Sequence, residues 1–301
     1  MQTWKIGNTT VTRIEEQVGP SGSLVESFLT GVVRERFDRH LSWMVPVHFD
    51  PALDRLITSI HSWLIKTDRH TILLDCCAGN HKERPSQPRF HRLNVPFLER
   101  LQAAGARPED IDIVLCTHLH ADHVGWNTRL ENGRWKPTFA NARYLFSRIE
   151  HEYWDPRAGG RRAQEFDLAA IYNDSVLPVV EAGQAVLLDG AHAIDDRLMI
   201  EPSPGHTPGH VVLKLDDGGG RALFCGDTLH HPVQVYEPTW NSCFCENPEQ
   251  ARATRRKMLE HCCENHALLF PTHFAAPHVT AIKRERDGFR PEFIAPAEAG
   301  F

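Results

Sequence analysis

Three histidines and one aspartate lie close together in the stretch CTHLHADHVGW, which runs from Cys116 to Trp126. The four residues are His118, His120, Asp122 and His123. In an extended loop the side chains of His118 and His120 point to the same side, because one residue separates them. Imidazole nitrogens and carboxylate oxygens are ligands of zinc and of similar divalent metals. Imidazoles packed this closely gain from a shared cation, so the stretch predicts a metal site rather than a set of solvated loop residues.

Three more residues of ligand type follow or separate strand-like runs elsewhere in the chain: His206 in SPGHTPGH, Asp227 in ALFCGDTL and His273 in LLFPTHF. Each is a weak candidate on its own, because a lone histidine is more often simply half-buried. Functional sites of layered α/β folds usually lie at strand ends along one edge of the sheets. The shared position at strand ends therefore adds these three residues to the predicted metal site.

Short strands and helices must hold these residues in place. His210–Leu215 and Ala222–Cys225 are predicted to form a hairpin, because the turn sequence DDGGG joins them. A helix is predicted to begin at Pro248, since Asn247 is a favourable N-cap and Gln250 occupies the third helical position. Strand-like runs and helical patterns follow one another along the chain, as in an α/β fold.

Two segments, Gly19–Pro51 and Leu229–Asn247, lack clear periodicity and are rich in aromatic residues and proline. Long ordered loops of this kind often border a functional site. Their side chains give a predicted substrate pocket, which consists of Trp43, His48, Phe49, His231, Trp240 and Phe244. The alternative is that the aromatic side chains hold the loops to the core, since aromatic residues do both. A pocket of this kind favours a neutral, partly hydrophobic molecule.

The composition limits the class of protein. The chain has 301 residues, a net charge of −6, 41% apolar residues and 24% charged residues, as is ordinary for a globular protein. No run approaches the ~20 apolar residues of a membrane helix, and the acidic balance argues against a nucleic acid partner. The N-terminus lacks the pattern of a signal peptide, and none of the eight cysteines forms a CxxC pair. We therefore expect reduced thiols and a cytoplasmic location.

Taken together, the motifs resemble those of the metallo-β-lactamase superfamily. THLHADHVG is similar to the THxHxDHxG signature of that family, and PSPGHTPGH, FCGDT and PTHF are similar to its later ligand motifs. The resemblance implies a four-layer αββα sandwich, in which two mixed β-sheets lie between outer helices. It further implies one domain over residues 1–301, with an N-terminal extension at about residues 19–51 that borders the active site.

The resemblance also implies two divalent metal ions and a role for each ligand. His118, His120 and His206 would hold one ion, Asp122, His123 and His273 would hold the other, and Asp227 would bridge both. Asp75 and Thr117 would hold the ligand loop in place without binding the metal themselves. Zinc is favoured, with manganese, iron and cobalt left open. The two ions would share a water and turn it into an attacking hydroxide, and Asp122 would pass a proton to the leaving group.

Departures from the family pattern limit which branch of the superfamily the chain resembles. An aspartate at position 227 argues against a β-lactamase, and the short tail after His273 argues against a glyoxalase-II-type thioesterase. The layout resembles acyl-homoserine lactonases and methyl parathion hydrolase. Lactonases carry a tyrosine three residues after the bridging aspartate, where this chain has His230. His230 would donate a hydrogen bond to the substrate or act as an acid or base; the alternative is a loop histidine that faces solvent.

The leading hypothesis is a binuclear metal-dependent hydrolase of an ester, a lactone or a phosphotriester, with Asp122, Asp227 and His230 as catalytic residues. Its partner would be a small-molecule substrate, and family resemblance favours a homodimer. Three alternatives remain: an iron-dependent sulfur dioxygenase, a hydrolytic dehalogenase of an activated aromatic ring, and a non-catalytic module stabilised by metal. The intact ligand set makes the last of these the least favoured.

Overall fold

The structure is a computed structural model that describes residues 1–158 and 166–297. It divides into two units: the first contains Met1–Glu16 and Ile60–His192, and the second contains Gln17–Ser59 and Ala193–Pro296. The expectation of one domain over the whole chain stays a prediction. Within the described residues, no helix combines the length and the apolar character that crossing a membrane requires.

The described elements are mostly short strands, with one long helix near the C-terminus. In chain order the strands are β1 (Gln2–Ile6), β2 (Thr9–Pro20), β3 (Leu29–Thr30), β4 (Phe49–Asp50), β5 (Arg55–Lys66), β6 (Thr71–Leu74), β7 (Ile113–Leu115), β8 (Thr128–Glu131), β9 (Arg134–Pro137), β10 (Arg143–Ser147), β11 (Ala185–Leu188), β12 (His192–Ala193), β13 (Leu198–Pro202), β14 (Val211–Asp217), β15 (Gly220–Gly226), β16 (Asn241–Ser242), β17 (Leu268–Pro271), β18 (Val279–Glu285) and β19 (Gly288–Ile294). The α-helices are α1 (Val25–Phe28), α2 (Arg34–Asp38), α3 (Leu41–Met44), α4 (Phe97–Ala103), α5 (Ala121–Val124), α6 (Arg148–Trp154), α7 (Phe166–Ser175), α8 (Leu177–Glu181), α9 (Val233–Tyr236) and α10 (Pro248–Asn265).

The first unit is built around a mixed sheet with the strand order β1-β2-β5-β6-β7-β10-β11. The neighbouring strands β6, β7 and β10 run parallel. Their residues are almost all buried, as expected of parallel strands that are covered on both faces. The pairing of β6 with β7 places Leu74 opposite Leu115. Asp75 and the stretch from Thr117 to His123, which follow these strands, therefore lie at the same edge of the sheet.

The second unit contains a second mixed sheet, with the order β12-β13-β14-β15-β17-β18-β19. Strands β14 and β15 form the predicted hairpin, and the predicted helix forms as α10 with Asn247 as its N-cap. Strands β15 and β17 run parallel and place Gly226 opposite Pro271. Because both strands end at the same edge, Asp227 and His273 follow them there.

The N-terminal extension folds as the short helices α1 to α3 together with β3 and β4. Strand β3 pairs with β16, so that Leu29 lies opposite Ser242. The apolar side chains of the extension join one core cluster with Leu56 of β5 and with residues of the later loop: Val25, Phe28, Leu29, Phe37, Met44, Phe49, Leu56, Val233 and Trp240. The two segments without periodicity thus pack against each other within the second unit.

Candidate metal centre

The loop after β7 brings three histidines together in the first unit. His118 Nε2 lies 3.0 Å from His120 Nδ1, and the ring centroids of His118 and His123 are 4.0 Å apart. Asp122 Oδ1 lies 3.9 Å from His123 Nε2. The side chains of His118 and His123 are fully buried. Ring nitrogens this close, with a carboxylate beside them, match the donor set of a divalent metal.

Asp75 and Thr117 lie next to two of these histidines. His123 Nδ1 lies 2.9 Å from Asp75 Oδ2. The other carboxylate oxygen of Asp75 accepts a hydrogen bond from the backbone N–H of Thr117 at 2.8 Å. The hydroxyl of Thr117 lies 3.1 Å from His118 Nδ1. Contacts of this kind fix the orientation of an imidazole and leave its other nitrogen for a ligand.

A carboxylate surrounded by imidazoles lies at the sheet edge of the second unit. Asp227 Oδ1 is 3.0 Å from His273 Nε2, and Asp227 Oδ2 is 3.3 Å from His206 Nε2. All three side chains are almost fully buried. His210 Nε2 accepts a hydrogen bond from the backbone N–H of Asp227 at 3.1 Å. Sequence reasoning missed His210, although its position four residues after His206 in SPGHTPGH was a usable signal.

The loop that carries His206 depends on a glycine at position 205. Gly205 has a φ of 133°, and a Cβ at this position would lie 2.4 Å from the backbone nitrogen of Ala251 in α10. The backbone N–H groups of Glu246 and Asn247 donate hydrogen bonds to the carbonyls of His206 and Gly205, at 2.8 and 3.0 Å. The loop is therefore held between α10 and the segment that precedes it.

The far nitrogens of His206 and His273 also have partners within the second unit. His273 Nδ1 donates to the carbonyl oxygen of Ser59 at 2.9 Å, and His206 Nδ1 lies 3.7 Å from Cys245 Sγ. These contacts leave Nε2 of each ring facing Asp227. Neither Ser59 nor Cys245 was predicted, because any residue offers a carbonyl and a lone cysteine carries no spacing signal.

All seven predicted ligands are among the described residues that could hold a metal ion: His118, His120, Asp122, His123, His206, Asp227 and His273. The donors are imidazole nitrogens and carboxylate oxygens, which suit zinc and the neighbouring divalent metals. The chemistry of the donor set therefore fits a divalent metal.

His230 lies beside Asp227 and does not face solvent. Its Nε2 atom is 3.2 Å from Asp227 Oδ2, its ring stacks on His273 with a centroid distance of 5.6 Å, and only 2% of the residue is exposed. Burial lowers the pKa of the His230 imidazole, although the Asp227 carboxylate acts in the opposite direction. The edge-to-face contact with Phe28, at 6.0 Å, adds an aromatic neighbour that the sequence did not reveal.

Most of the predicted pocket residues take part in packing. Phe49 and Trp240 are buried in the core cluster of the second unit, which favours the alternative in which aromatic residues hold the loops to the core. Trp43 packs on Tyr236, with ring centroids 5.5 Å apart. Phe244 differs from them, because it is 52% exposed and makes an edge-to-face contact with Phe28 at 5.7 Å.

The two remaining pocket candidates, His48 and His231, form a buried pair. His231 Nε2 donates a hydrogen bond to the carbonyl oxygen of His48 at 2.8 Å, and His231 Nδ1 accepts one from the backbone N–H of Val233 at 3.2 Å. Burial lowers the pKa of His231 to about 3 and that of His48 to about 4. Both imidazoles are therefore neutral near neutral pH, and His231 links the extension to the later loop.

Comparison with known proteins identifies the family of the chain. The model of the metallo-beta-lactamase superfamily matches residues 57–273, which is well over half of the chain. The chain belongs to the metallo-β-lactamase superfamily. The predicted fold class, with two mixed sheets and helices, is confirmed by this match.

Individual members of the superfamily resemble the chain in part of their length. The probable metallo-hydrolase YflN of Bacillus subtilis is 27% identical over 117 residues, 38% of this chain and 44% of YflN. The N-acyl homoserine lactonase AttM of Azorhizobium caulinodans is 29% identical over 168 residues, 50% of this chain and 57% of AttM. The chain thus spans about half the length of these curated relatives. The solved structure of AidC, a dizinc quorum-quenching lactonase, superimposes with a TM-score of 0.79 and 22% identity, over 97% of this chain and 98% of AidC, which shows the shared fold.

Proposed function

We propose that the protein is a metal-dependent hydrolase of an ester, a lactone or a phosphotriester, with a neutral and partly hydrophobic substrate. His118, His120 and His206 would hold one divalent ion, Asp122, His123 and His273 a second, and Asp227 would contact both. When bound, two such ions would lower the pKa of a water molecule so that it attacks near neutral pH. The residues of the protein then need to orient the substrate and to move protons, and no side-chain nucleophile is required.

The surroundings of Asp227 carry this proposal. Each of its carboxylate oxygens has an imidazole Nε2 close by, His273 at 3.0 Å and His206 at 3.3 Å. The far nitrogens of both rings already have partners, so the Nε2 atoms are the ones left for a metal. A buried carboxylate with ligand nitrogens beside both oxygens supports the bridging role. Membership of the superfamily and the dizinc relative AidC support two zinc ions.

His230 is proposed to contact the substrate. A neutral imidazole has one N–H donor and one acceptor nitrogen, and burial favours the neutral form of this ring. Such a donor would orient a carbonyl or phosphoryl oxygen. Asp122, whose side chain is partly exposed, is proposed to accept a proton and pass it to the leaving group. Phe28 and the exposed Phe244 would contact the apolar part of the substrate.

Removing the metal tests the proposal. The protein would be assayed on p-nitrophenyl esters, lactones and phosphotriesters before and after complete chelation, and again after zinc is restored. We expect turnover of at least one of these classes, its loss on chelation and its recovery with zinc. Activity that survives full demetallation would contradict the proposal. One iron per chain together with oxygen uptake would favour the dioxygenase, and turnover of no substrate would favour the binding module. A homodimer and a cytoplasmic location stay predictions.

A further inference from the structure

The segment that follows the proposed bridging aspartate, Thr228–Asn241, is held by two buried side chains that belong to helices. Gln234 lies in α9 and Arg255 lies in α10, and neither is exposed to solvent. The segment carries His230. Any movement of its backbone would therefore move the imidazole that faces Asp227.

Gln234 uses both ends of its side-chain amide on this segment. Its Oε1 atom accepts hydrogen bonds from the backbone N–H groups of His230, at 2.7 Å, and of His231, at 3.1 Å. Its Nε2 atom donates to the carbonyl oxygen of Trp240 at 2.9 Å. Two donors at one end and a carbonyl at the other fix the orientation of the amide. Gln234 thus joins the beginning of the segment to its end.

Arg255 binds the same segment from helix α10. Its Nε atom donates to the carbonyl oxygen of Thr228 at 2.8 Å, and its Nη1 atom donates to the carbonyls of Pro238 and Trp240 at 2.8 and 2.9 Å. Its Nη2 atom donates to Asn241 Oδ1 at 3.1 Å. The carbonyl of Trp240 therefore accepts from both Arg255 and Gln234.

The burial of Arg255 is costly, because a buried cation loses its hydration. Burial lowers the pKa of the guanidinium to about 10, so it is still charged near neutral pH. Carbonyl dipoles of the segment stabilise this charge. The guanidinium in turn fixes the position of the segment through hydrogen bonds to four of its residues. Such an arrangement favours a role in holding one backbone conformation.

We propose that Gln234 and Arg255 are positioning residues that act through His230: they hold its backbone so that its ring stays at Asp227. This inference rests on the proposed function, in which His230 contacts the substrate. Neither residue is a candidate metal ligand. Loosening the segment should therefore lower kcat and leave the metal content unchanged, because Asp227 precedes the segment and is held by β15 and His210.

A double-mutant cycle tests the inference. Gln234→Met removes all three hydrogen bonds and keeps a side chain of similar size. We expect it to lower kcat about tenfold or more, with a normal metal content and little change in KM. In a His230→Ala background the same substitution should change kcat by less than about twofold, because the residue through which it acts is gone.

Gln184 offers a matched control, since its side-chain amide donates to the carbonyls of Phe139, Ala140 and Ala142 in the first unit. Gln184→Met should leave kcat within about twofold of the wild type. If Gln234→Met does not fold, Arg255→Lys is used in the same cycle, because lysine keeps the charge and loses the fork of donors.

The outcomes separate the inference from the proposed function. Effects of Gln234→Met that are equal in both backgrounds, or no effect on kcat, would overturn the inference alone. If His230→Ala itself left kcat unchanged, the proposed role of His230 would fail and the inference with it. Loss of metal in Gln234→Met would show that the residue supports the ligands rather than His230, which also overturns the inference.

Discussion

His123 Nδ1 lies 2.9 Å from Asp75 Oδ2, and both side chains are completely buried. A carboxylate at this position favours the tautomer of His123 that has its proton on Nδ1 and a lone pair on Nε2. His273 shows the same pattern, with a backbone carbonyl in place of the carboxylate. Both neighbours thus favour the tautomer in which Nε2 is the metal-binding atom.

Replacing Asp75 should weaken metal binding. Asn is nearly isosteric with Asp, yet it cannot place an acceptor oxygen beside both Thr117 and His123, because one end of its amide is a donor. We expect Asp75→Asn to lower metal affinity about 10- to 100-fold, measured by competition with a chelator. Asp112→Asn is the control, since Asp112 accepts a hydrogen bond from Thr71 at the other end of the strands. Equal metal retention in both variants would argue against the role of Asp75.

Asp227→Ala should lose at least one metal ion and most of the activity. The substitution removes the carboxylate that lies between His206 and His273 and leaves these two rings facing a gap. Elemental analysis of purified protein measures the loss. Asp217→Asn, which alters another buried carboxylate of the second unit, should keep the full metal content. An unchanged metal content in Asp227→Ala would rule out bridging.

His230→Ala should lower kcat by about 100-fold or more, as loss of an oriented proton donor does, while both ions stay bound. The metal content is expected to persist because the proposed ligand set does not include this ring. Steady-state kinetics on the best substrate of the panel, with His261→Ala as a control in α10, measures the effect. Normal turnover in His230→Ala would show that His230 packs against its neighbours and has no role in the reaction.

The stability of the metal-free protein should fall in acid partly because of His231. Its pKa is about 3 in the folded protein and ~6.5 in an unfolded chain, so the unfolded state binds more protons between these values. The stability that the neutral ring contributes is therefore complete above pH ~6.5 and is lost as the pH falls toward ~3. Gln at this position can donate to His48 and accept from Val233 without titrating.

Urea unfolding of wild type and His231→Gln between pH 7 and pH 4 measures this effect. The stability of the wild type relative to the variant should decrease by up to about 1.4 kcal/mol per pH unit below pH ~6.5. Both proteins are prepared without metal, so titration of the ligands is common to them. Parallel stability curves would show that His231 is not held neutral.

The positions of Asp227 and His273 could be predicted from the sequence because each closely follows an apolar strand; their role as metal ligands stays a prediction. The parallel pair β15 and β17 places Asp227 and His273 at one edge, and a strand end is visible in a linear sequence. The hydrogen-bond partners of the candidate ligands could not be predicted in this way. The carbonyl oxygen of Ser59, for example, is far from His273 in the sequence and is brought to it only by folding. The aperiodic segments gave no pattern from which to separate pocket from core, and Phe49 and Trp240 proved to be core residues.

The number and position of bound metal ions test the central claim most directly. Crystals of protein loaded with zinc would be measured at the zinc absorption edge, with elemental analysis of the same sample. We predict two anomalous peaks per chain, one beside His118, His120 and His206 and the other beside Asp122, His123 and His273, with Asp227 in contact with both. A single ion per chain, or two ions of which neither contacts Asp227, would contradict the account.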